Sequence, residues 1–304
     1  MAGERVIGVD VGGTKILAGL VDRDGRIERS VERPTPKSSQ EDLLAEIDGA
    51  VEKLLNSEVA AVGFGLCSTI DQRQGRAVSS VNVPLADLNV RERMAERFSV
   101  PVGIDNDANA AAIAEWRIGA GRGTNDMVML TLGTGVGGGL ILGGKPYRGA
   151  VGAGGELGHV VLDYHGPSCQ GTCPGHGHFE TLAGGLAGDA AAHELYGPGA
   201  DARDLVSRGL EGDGPARTAL AEIGRRLGAG IASLVNIFNP EVVVVGGGFA
   251  SGAGELLLEP AREFVRREAL PPARDLVRIV PAALGPDAGM VGAAFVGFEA
   301  LDER

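Results

Sequence analysis

The stretch Asp10-Val-Gly-Gly-Thr-Lys15 decides the fold, because it joins two short apolar segments through a glycine turn. Val6 to Asp10 is typical of a buried strand, and Ile16 to Val21 of its partner in a hairpin. The same order returns about 120 residues later, where Met127 to Leu132 precedes Gly133-Thr-Gly-Val-Gly-Gly-Gly139. We interpret this as an internal duplication, which predicts two α/β lobes that each open with a glycine-rich hairpin.

Length and composition limit the class of protein. The chain has 304 residues and a net charge of −12, from 40 acidic and 28 basic side chains. This acidity argues against a general nucleic-acid surface, which requires a stripe of lysine and arginine. No apolar run reaches the ~18 residues of a membrane span. The N-terminal residues lack the apolar core of a signal peptide, so we expect a cytoplasmic protein.

The first glycine turn has the composition of a phosphate site. Gly12 and Gly13 let backbone N–H groups approach phosphate oxygens, and Thr14 and Lys15 add further donors. Asp10 is placed to reach a hydrated Mg²⁺. A plain β-hairpin is the alternative interpretation. A Walker loop is not expected, because Thr14 precedes Lys15 and a strand follows instead of a helix.

The second glycine turn begins with Gly133, Thr134 and Gly135 and matches the letters of a dinucleotide-binding fingerprint. That fingerprint requires a helix immediately after it, whereas Leu140 to Leu142 predicts a strand. A phosphate-type hairpin in each lobe therefore favours a nucleotide held in a cleft.

A carboxylate lies at the start of a predicted helix, in Asp105-Asn-Asp-Ala-Asn109. Asp105 or Asn106 is placed to cap a helix from Asp107 to Trp116. The functional interpretation makes Asp107 a general base that accepts a hydroxyl proton as a phosphoryl group arrives, with Asn106 as a hydrogen-bond donor to the substrate. The alternative is that these side chains only form the turn and the cap.

Four of the five histidines and two of the three cysteines lie between residues 159 and 178. Thiolates and imidazoles this close in a loop rich in glycine and proline suit a tetrahedral Zn²⁺ site. The predicted ligands are His159, Cys169, Cys173 and His178, and four protein ligands would make the zinc structural. The alternative is a metal-free loop. Cys67 stands apart at the end of an apolar strand and is interpreted as a small buried residue.

Together these stretches resemble the ROK family of sugar kinases over essentially the whole chain, and most closely its bacterial glucokinases. The matching motifs, in chain order, are Asp10-Val-Gly-Gly-Thr-Lys15, Asn106-Asp-Ala-Asn109, Leu132-Gly-Thr-Gly-Val-Gly-Gly-Gly139, Gly155-Glu-Leu-Gly-His159, the Cys/His loop ending at Glu180, Asn239-Pro240 before Val242–Gly248, and Leu284-Gly-Pro-Asp-Ala-Gly-Met-Val-Gly-Ala-Ala294. Several are weak alone, and their order and spacing carry the resemblance.

The resemblance implies an α/β, actin-like (ribonuclease H-like) ATPase fold with two lobes around a cleft. The small lobe would contain residues 1–112 and a C-terminal helix at about 290–304. The large lobe would contain residues 113–289 with the zinc-binding loop. The implied reaction transfers the γ-phosphoryl group of ATP, with Mg²⁺, to the 6-hydroxyl of glucose, and Asp107 is the implied base. A homo-oligomer, dimer or tetramer, is typical of the resemblance.

The resemblance also implies which residues bind the substrates. The other sugar hydroxyls would contact Asn82, Asn106, Glu156, His159 and Glu180. The two glycine turns would hold the phosphates and Mg²⁺, and Gly246, Gly247 and Gly248 would lie beside adenosine. His159 would serve sugar and zinc through its two ring nitrogens, so that the metal fixes the loop that presents the sugar ligands.

The sequence departs from the family pattern at two places near the expected sugar site. In the zinc loop, Gly171 occupies the first cysteine position and His178 replaces the last cysteine. Cys169 lies two residues earlier, and His176 is the alternative ligand to Cys169. The Pro-Gly pair common after Gly63-x-Gly in the family is here Cys67-Ser68, in a loop expected near the sugar.

Other functions remain as alternatives. The chain could be a kinase of the same family for N-acetylmannosamine, N-acetylglucosamine, mannose or fructose, or one that uses polyphosphate as the donor. A sugar-sensing transcription regulator is a third interpretation. It would need a helix-turn-helix domain ahead of Asp10 and a basic surface, and the sequence offers neither.

Overall fold

The computed structural model describes residues 4–171 and 173–303. They form two compact units. The first contains the described residues of Met1–Arg122, Pro146–Gly155 and Asp287–Arg304, and the second contains those of Gly123–Lys145 and Glu156–Pro286. Over these described ranges, no helix has the length and apolar character needed to cross a lipid bilayer.

The elements have the following bounds. The strands are β1 (Arg5–Val11), β2 (Lys15–Asp22), β3 (Ile27–Pro34), β4 (Val59–Leu66), β5 (Thr69–Asp71), β6 (Arg76–Ser79), β7 (Val102–Asn106), β8 (Met127–Leu132), β9 (Val136–Leu142), β10 (Lys145–Pro146), β11 (Val242–Gly246) and β12 (Arg278–Pro281). The α-helices are α1 (Gln40–Leu54), α2 (Val90–Phe98), α3 (Asp107–Ile118), α4 (Phe179–Ala183), α5 (Gly185–Tyr196), α6 (Ala202–Glu211), α7 (Gly214–Phe238), α8 (Gly248–Ala253), α9 (Glu255–Glu268), α10 (Ala273–Leu276) and α11 (Ala288–Asp302). Short 3₁₀ turns span Leu157–His159 and Gly285–Asp287.

The sheet of the first unit has the strand order β3-β2-β1-β4-β7. β1 is antiparallel to β2 and parallel to β4, and β4 is parallel to β7. α11 packs against β1, β4 and β7 and against α3, while α1 packs against β1, β2 and β3. Since neighbouring parallel strands end at the same edge of a sheet, β1, β4 and β7 deliver the residues that follow them to one place.

The sheet of the second unit has the order β10-β9-β8-β11-β12. Here β8 is antiparallel to β9 and parallel to β11, and β11 is parallel to β12. β8 therefore occupies the place that β1 has in the first unit. The two glycine turns follow these equivalent strands, in agreement with the duplication inferred from the sequence.

Two elements begin earlier than the sequence predicts. β9 starts at Val136, so Gly137 to Gly139 are strand residues and not part of the turn. Backbone pairing with β8 supplies their hydrogen bonds, although glycine alone does not favour a strand. The sequence predicts a helix from Thr218 to Phe238, but α7 starts at Gly214, because the Asp213 side chain caps it by accepting from the backbone N–H of Ala216.

Helix α3 belongs wholly to the first unit. The sequence placed a lobe boundary after residue 112, which lies in the middle of this helix. α3 packs along α11, and this packing keeps it in one piece with the first unit. The loop Pro146–Gly155 also belongs to the first unit, although both of its flanking segments belong to the second.

Candidate active site

Two candidate residues, Asp10 and Asp107, meet Cys67 at the shared edge of β1, β4 and β7. The register pairs Asp10 of β1 with Gly65 of β4, and Gly65 with Asp105 of β7. Cys67 directly follows β4, and Asp107 opens α3 two residues beyond Asp105. The sheet topology thus collects two carboxylates and a thiol from segments far apart in sequence.

Asp10 is a half-buried carboxylate close to a second one, that of Asp107. Burial raises its pKa to about 7, the negative charge of Asp107 adds to the rise, and Lys15 opposes it. The N-terminal turn of α11 lies against it, because a Cβ at Gly289 would overlap the Asp10 carboxylate. Glycine is required there for helix and carboxylate to approach closely. The neighbouring carboxylates of Asp10 and Asp107 favour the binding of a cation between or beside them. The position of Asp10 is therefore compatible with its predicted role as a ligand of Mg²⁺.

Asp107 has the electrostatics expected of a base. Burial raises its pKa, and hydrogen bonds from the backbone N–H of Ala108 and from the Cys67 thiol oppose that rise. The Ala108 nitrogen lies 2.9 Å from Asp107 Oδ1. A carboxylate whose pKa moves towards neutrality is a better general base than an ordinary aspartate. Its position and environment agree with the predicted role, which stays a prediction.

Asn106 is the capping residue of α3. Its Oδ1 accepts hydrogen bonds from the backbone nitrogens of Ala108 at 2.9 Å and Asn109 at 3.2 Å. Its Nδ2 donates to the carbonyl oxygen of Ser68 at 3.4 Å. Of the two caps that the sequence allowed, the structure selects Asn106. Its contact with a substrate hydroxyl stays a prediction.

A buried ion pair that the sequence did not suggest supports this junction. Asp105 is fully buried, and its Oδ2 accepts from Arg148 Nε at 2.6 Å. Its Oδ1 accepts from the backbone nitrogen of Asn106 at 2.8 Å and from Asn109 Nδ2 at 3.1 Å. The pair therefore fixes the end of β7 from which α3 departs. Arg148 lies in a loop outside every motif, so no sequence pattern indicated it.

The first glycine turn is closed by a hydrogen bond from the Gly12 nitrogen to the Lys15 carbonyl oxygen at 3.0 Å. Lys15 Nζ pairs with Glu32 Oε2 at 2.9 Å, and both side chains are exposed. A second ammonium lies nearby, because the position of a Cβ at Gly13 is 3.8 Å from Lys37 Nζ. Lys37 also donates to the carbonyl oxygen of Asn82. No sequence motif indicated Lys37, since this residue lies beyond β3 and outside the glycine-turn motif.

The second glycine turn is held at the start of α5. The carbonyl oxygens of Gly133 and Thr134 accept from the backbone nitrogens of Gly185 at 2.8 Å and Leu186 at 3.0 Å. A Cβ at Gly135 would overlap the carboxylate of Glu180, so this turn and Glu180 are neighbours. The backbone N–H groups at the start of α5 thus hold this turn in place.

The glycines after β11 reach the same region of the second unit. Gly246 pairs with Thr131 of β8, directly before the second glycine turn, and α8 begins at Gly248. The structure therefore brings Gly246, Gly247 and Gly248 beside the turn that the sequence assigned to phosphates. A role beside adenosine stays a prediction.

The four predicted zinc ligands form one cluster. His159 Nδ1 lies 3.1 Å from His178 Nδ1, 3.7 Å from Cys169 Sγ and 3.9 Å from Cys173 Sγ. Cys173 Sγ lies 3.7 Å from His178 Nδ1, and the four ligand atoms all lie within 4.8 Å of one another. His176 is outside this group and faces Ser168, with Nδ1 and Oγ 3.3 Å apart.

These distances fit a tetrahedral zinc ion. With Zn–S of about 2.3 Å and Zn–N of about 2.0–2.1 Å, the edges of a tetrahedron are roughly 3.3–3.8 Å. The backbone aligns the loop, because Leu162 and Cys169 donate to the carbonyl oxygens of Gly177 and Gly175, each at 2.9 Å. The structure thus favours Cys169 over His176 as the fourth ligand.

Glu180 links this cluster to the predicted sugar ligands. Its Oε1 accepts from Cys169 Sγ at 3.0 Å and lies 3.9 Å from His159 Nδ1. Because the cluster uses Nδ1 of His159, the Nε2 of that ring is left for another partner. Glu156 is exposed and precedes the 3₁₀ turn, where its carbonyl oxygen accepts from the His159 nitrogen at 3.1 Å.

The fold and its glycine turns define an actin-like ATPase of the kinase class. A ROK family glucokinase from Streptomyces griseus, solved in complex with glucose and AMPPNP, matches with a TM-score of 0.84 and 34% identity, covering 97% of this chain and 99% of that chain. The predicted fold class is thereby confirmed.

A family model described as the ROK family matches residues 6–298, and the chain belongs to that family. It is 36% identical to a glucokinase of Thermotoga maritima, over 96% of each protein. It is also 34% identical to an N-acetylmannosamine kinase of Shigella flexneri, over 96% of this chain and 97% of that protein.

Proposed function

We propose that this protein transfers the γ-phosphoryl group of ATP to the 6-hydroxyl of glucose. The observation that carries the proposal is the placement of Asp107, a half-buried carboxylate with a raised pKa at the start of a helix. The similarity to glucokinases over nearly the whole chain also supports the proposal. The chain belongs to a family of sugar kinases, and glucose is the acceptor named for those relatives.

Asp107 is the proposed base. It accepts the proton of the sugar 6-hydroxyl while the oxygen of that hydroxyl bonds to the γ-phosphorus and the bond to ADP breaks. The Ala108 N–H and the Cys67 thiol orient the carboxylate and keep it from binding a proton too tightly. General-base catalysis of this type contributes about 10²–10⁴-fold to a rate.

The glycine turns are the proposed phosphate sites. Mg²⁺ bound with ATP would supply positive charge that offsets the phosphate charges, and Asp10 is the carboxylate proposed to hold it. In the second unit, the turn at Gly133 and Thr134 is the corresponding proposed phosphate site, and hydrogen bonds from the start of α5 hold it in place. Lys37, near Gly13, is a further cation available to a phosphate in the first unit.

The proposed sugar ligands come from each unit separately. In the first unit they are Asn82 and Asn106 beside Asp107. In the second unit they are Glu156, His159 and Glu180, and the zinc proposed for the Cys₂His₂ cluster would fix this loop. Each ligand offers a donor or acceptor for a hydroxyl, and paired donors and acceptors are what sugar recognition requires.

The test is ADP release by the purified protein with Mg·ATP over a panel of sugars. We expect glucose to give the highest kcat/KM among glucose, mannose, fructose, N-acetylglucosamine and N-acetylmannosamine. Replacing Asp107 by Asn should lower kcat by about 10²–10⁴-fold without a change in the urea unfolding curve. The matched control Asp24→Asn, an exposed turn residue, should keep full activity.

Three results would contradict the proposal. Highest turnover on N-acetylmannosamine would favour the second candidate function, which the Shigella relative supports. An Asp107→Asn variant with full turnover would exclude Asp107 as the base. Activity with polyphosphate but not ATP would change the donor. The homo-oligomer and the cytoplasmic location stay predictions. Light scattering, which gives the molar mass in solution, tests the oligomeric state.

A further inference from the structure

The turn Cys67-Ser68 makes contacts that the usual Pro-Gly pair of the family could not make. The backbone N–H of Cys67 donates to the carbonyl oxygen of Val11 at 3.2 Å, and proline has no N–H to donate. Ser80 Oγ donates to the Cys67 carbonyl oxygen at 2.5 Å, and Ser68 Oγ donates to the Ser79 carbonyl oxygen at 2.8 Å. This turn therefore ties the end of β1 to the segment that follows β6.

The same turn contacts three side chains proposed for the reaction. Cys67 Sγ accepts from Asn82 Nδ2 at 3.3 Å, and the thiol hydrogen-bonds the Asp107 carboxylate. The carbonyl oxygen of Ser68 accepts from Asn106 Nδ2 at 3.4 Å. A thiol is both a weak donor and a weak acceptor, so Cys67 can accept from the amide while it donates to the carboxylate.

The chemistry of the thiol suits this double contact. Burial raises the pKa of Cys67 to about 12, with Asp107 as the next cause, so the sulfur keeps its proton at neutral pH. A protonated thiol is a poor nucleophile, and it is the form that can donate to a carboxylate. The environment of Cys67 therefore fits an orienting contact and not covalent chemistry.

We propose that the Cys67-Ser68 turn is a positioning element of the sugar-phosphorylating site, in which the Cys67 thiol holds the Asn82 amide and the Asp107 carboxylate in one arrangement. The kinetic part of this inference rests on the proposed function. Cys67 touches no reacting atom in this scheme and acts through its two partners. A residue that only filled space would leave Asn82 and Asp107 free to turn independently.

A double-mutant cycle tests the link. Cys67→Ala should lower kcat/KM for the sugar about fivefold, the size expected for one hydrogen bond, and leave the KM for ATP unchanged. Asn82→Ala should lower it as well. Because Asn82 is one of the two partners through which the thiol acts, adding Cys67→Ala to the Asn82→Ala variant should cost less than the fivefold of the single change.

Matched variants separate positioning from packing. Cys67→Ser keeps a donor and an acceptor at the same place, so it should recover most of what Cys67→Ala loses. The control Ser207→Ala removes an exposed hydroxyl on α6 and should change nothing. Fully additive losses in the cycle, or a serine variant as poor as the alanine variant, would overturn the proposal.

A second measurement does not depend on turnover. Alkylation of Cys67 by iodoacetamide, followed peptide by peptide in a mass spectrometer, should be about fivefold slower in Asn82→Ala, because the hydrogen bond from the amide lowers the pKa of Cys67 and its loss leaves less of the reactive thiolate. The rates at Cys169 and Cys173 in the same samples serve as internal controls. An unchanged Cys67 rate would overturn the link itself. No sugar turnover by the unaltered protein would instead overturn the proposed function.

Discussion

Replacing Arg148 by Met should strongly destabilise the first unit. The change removes the guanidinium that faces Asp105, whose side chain has 0% exposure and whose Oδ2 lies 2.6 Å from Arg148 Nε. Removing one partner of a buried pair leaves an uncompensated charge, which costs about 3–5 kcal/mol of the free energy of unfolding. Glu299 also loses a partner, but it is partly exposed and keeps Arg117 at 3.4 Å, so it adds little.

Urea unfolding followed by tryptophan fluorescence measures this loss. The chain has a single tryptophan, Trp116, and it lies on α3 in the first unit. With a urea m-value of about 1–3 kcal/mol per molar, the expected loss moves the midpoint by at least about 1 M. The control Arg26→Met removes an arginine that is 79% exposed and should stay within about 0.5 kcal/mol of the unaltered protein.

The sign of the pH dependence gives a second check. Burial raises the pKa of Asp105 and Arg148 opposes that rise, so Arg148→Met should raise this pKa further. The folded variant then binds a proton more tightly than its unfolded chain, and its stability falls as pH rises through the raised pKa. The deficit against the unaltered protein should therefore be larger at about pH 8 than at about pH 5.

Two outcomes would show that Arg148 does not act in this way. A loss below about 1 kcal/mol would mean that Asp105 is not left with an uncompensated charge. An equal loss from Arg148→Met in an Asp105→Asn background would mean that the arginine stabilises the unit through something other than this carboxylate.

The remaining predictions concern the metal and one glycine. Metal analysis should find about one zinc per chain; His178→Ala should lose it and His176→Ala should keep it, because only His178 lies in the cluster of four ligands. The reverse pattern would overturn the ligand set. Gly289→Ala should lower the free energy of unfolding by about 1–3 kcal/mol, although this exchange usually stabilises a helix, because the new methyl group meets the Asp10 carboxylate. An increase in the urea midpoint would contradict that close approach.

Much of the fold could be predicted because its strands and helices carry their own signals. β8 has its predicted bounds, and so has α9, for which the sequence predicts a helix from Glu255 to Glu268. β1 and β2 each extend one residue further at both ends than predicted. Apolar strands next to glycine turns can be recognised in a sequence, since the spacing of the apolar residues and the glycines of the turn indicate the same hairpin. The zinc-ligand cluster could also be predicted, because its members lie close together in the sequence and need no long-range contact to meet. They are His159, Cys169, Cys173 and His178.

Features set by tertiary contacts could not be predicted in this way. β3 is mostly exposed and rich in charged residues, so it has no apolar pattern and exists through its pairing with β2. Arg148 and Lys37 belong to no motif, and their importance comes from partners distant in sequence. Cys67 looked like a small buried residue, because its contacts with Asn82 and Asp107 depend on how three strands end together.

The position of α11 has a consequence for biosynthesis. This helix covers β1, β4 and β7, yet it leaves the ribosome about 170 residues after α3, roughly 10–30 s later at ~5–20 residues per second. Throughout that interval the first sheet to be made lacks the helix that buries its apolar face. The first unit, whose sheet is synthesised first, is thus the last to become complete. We expect chains that stop short of Ala288 to expose that sheet face and to be recognised by chaperones and proteases.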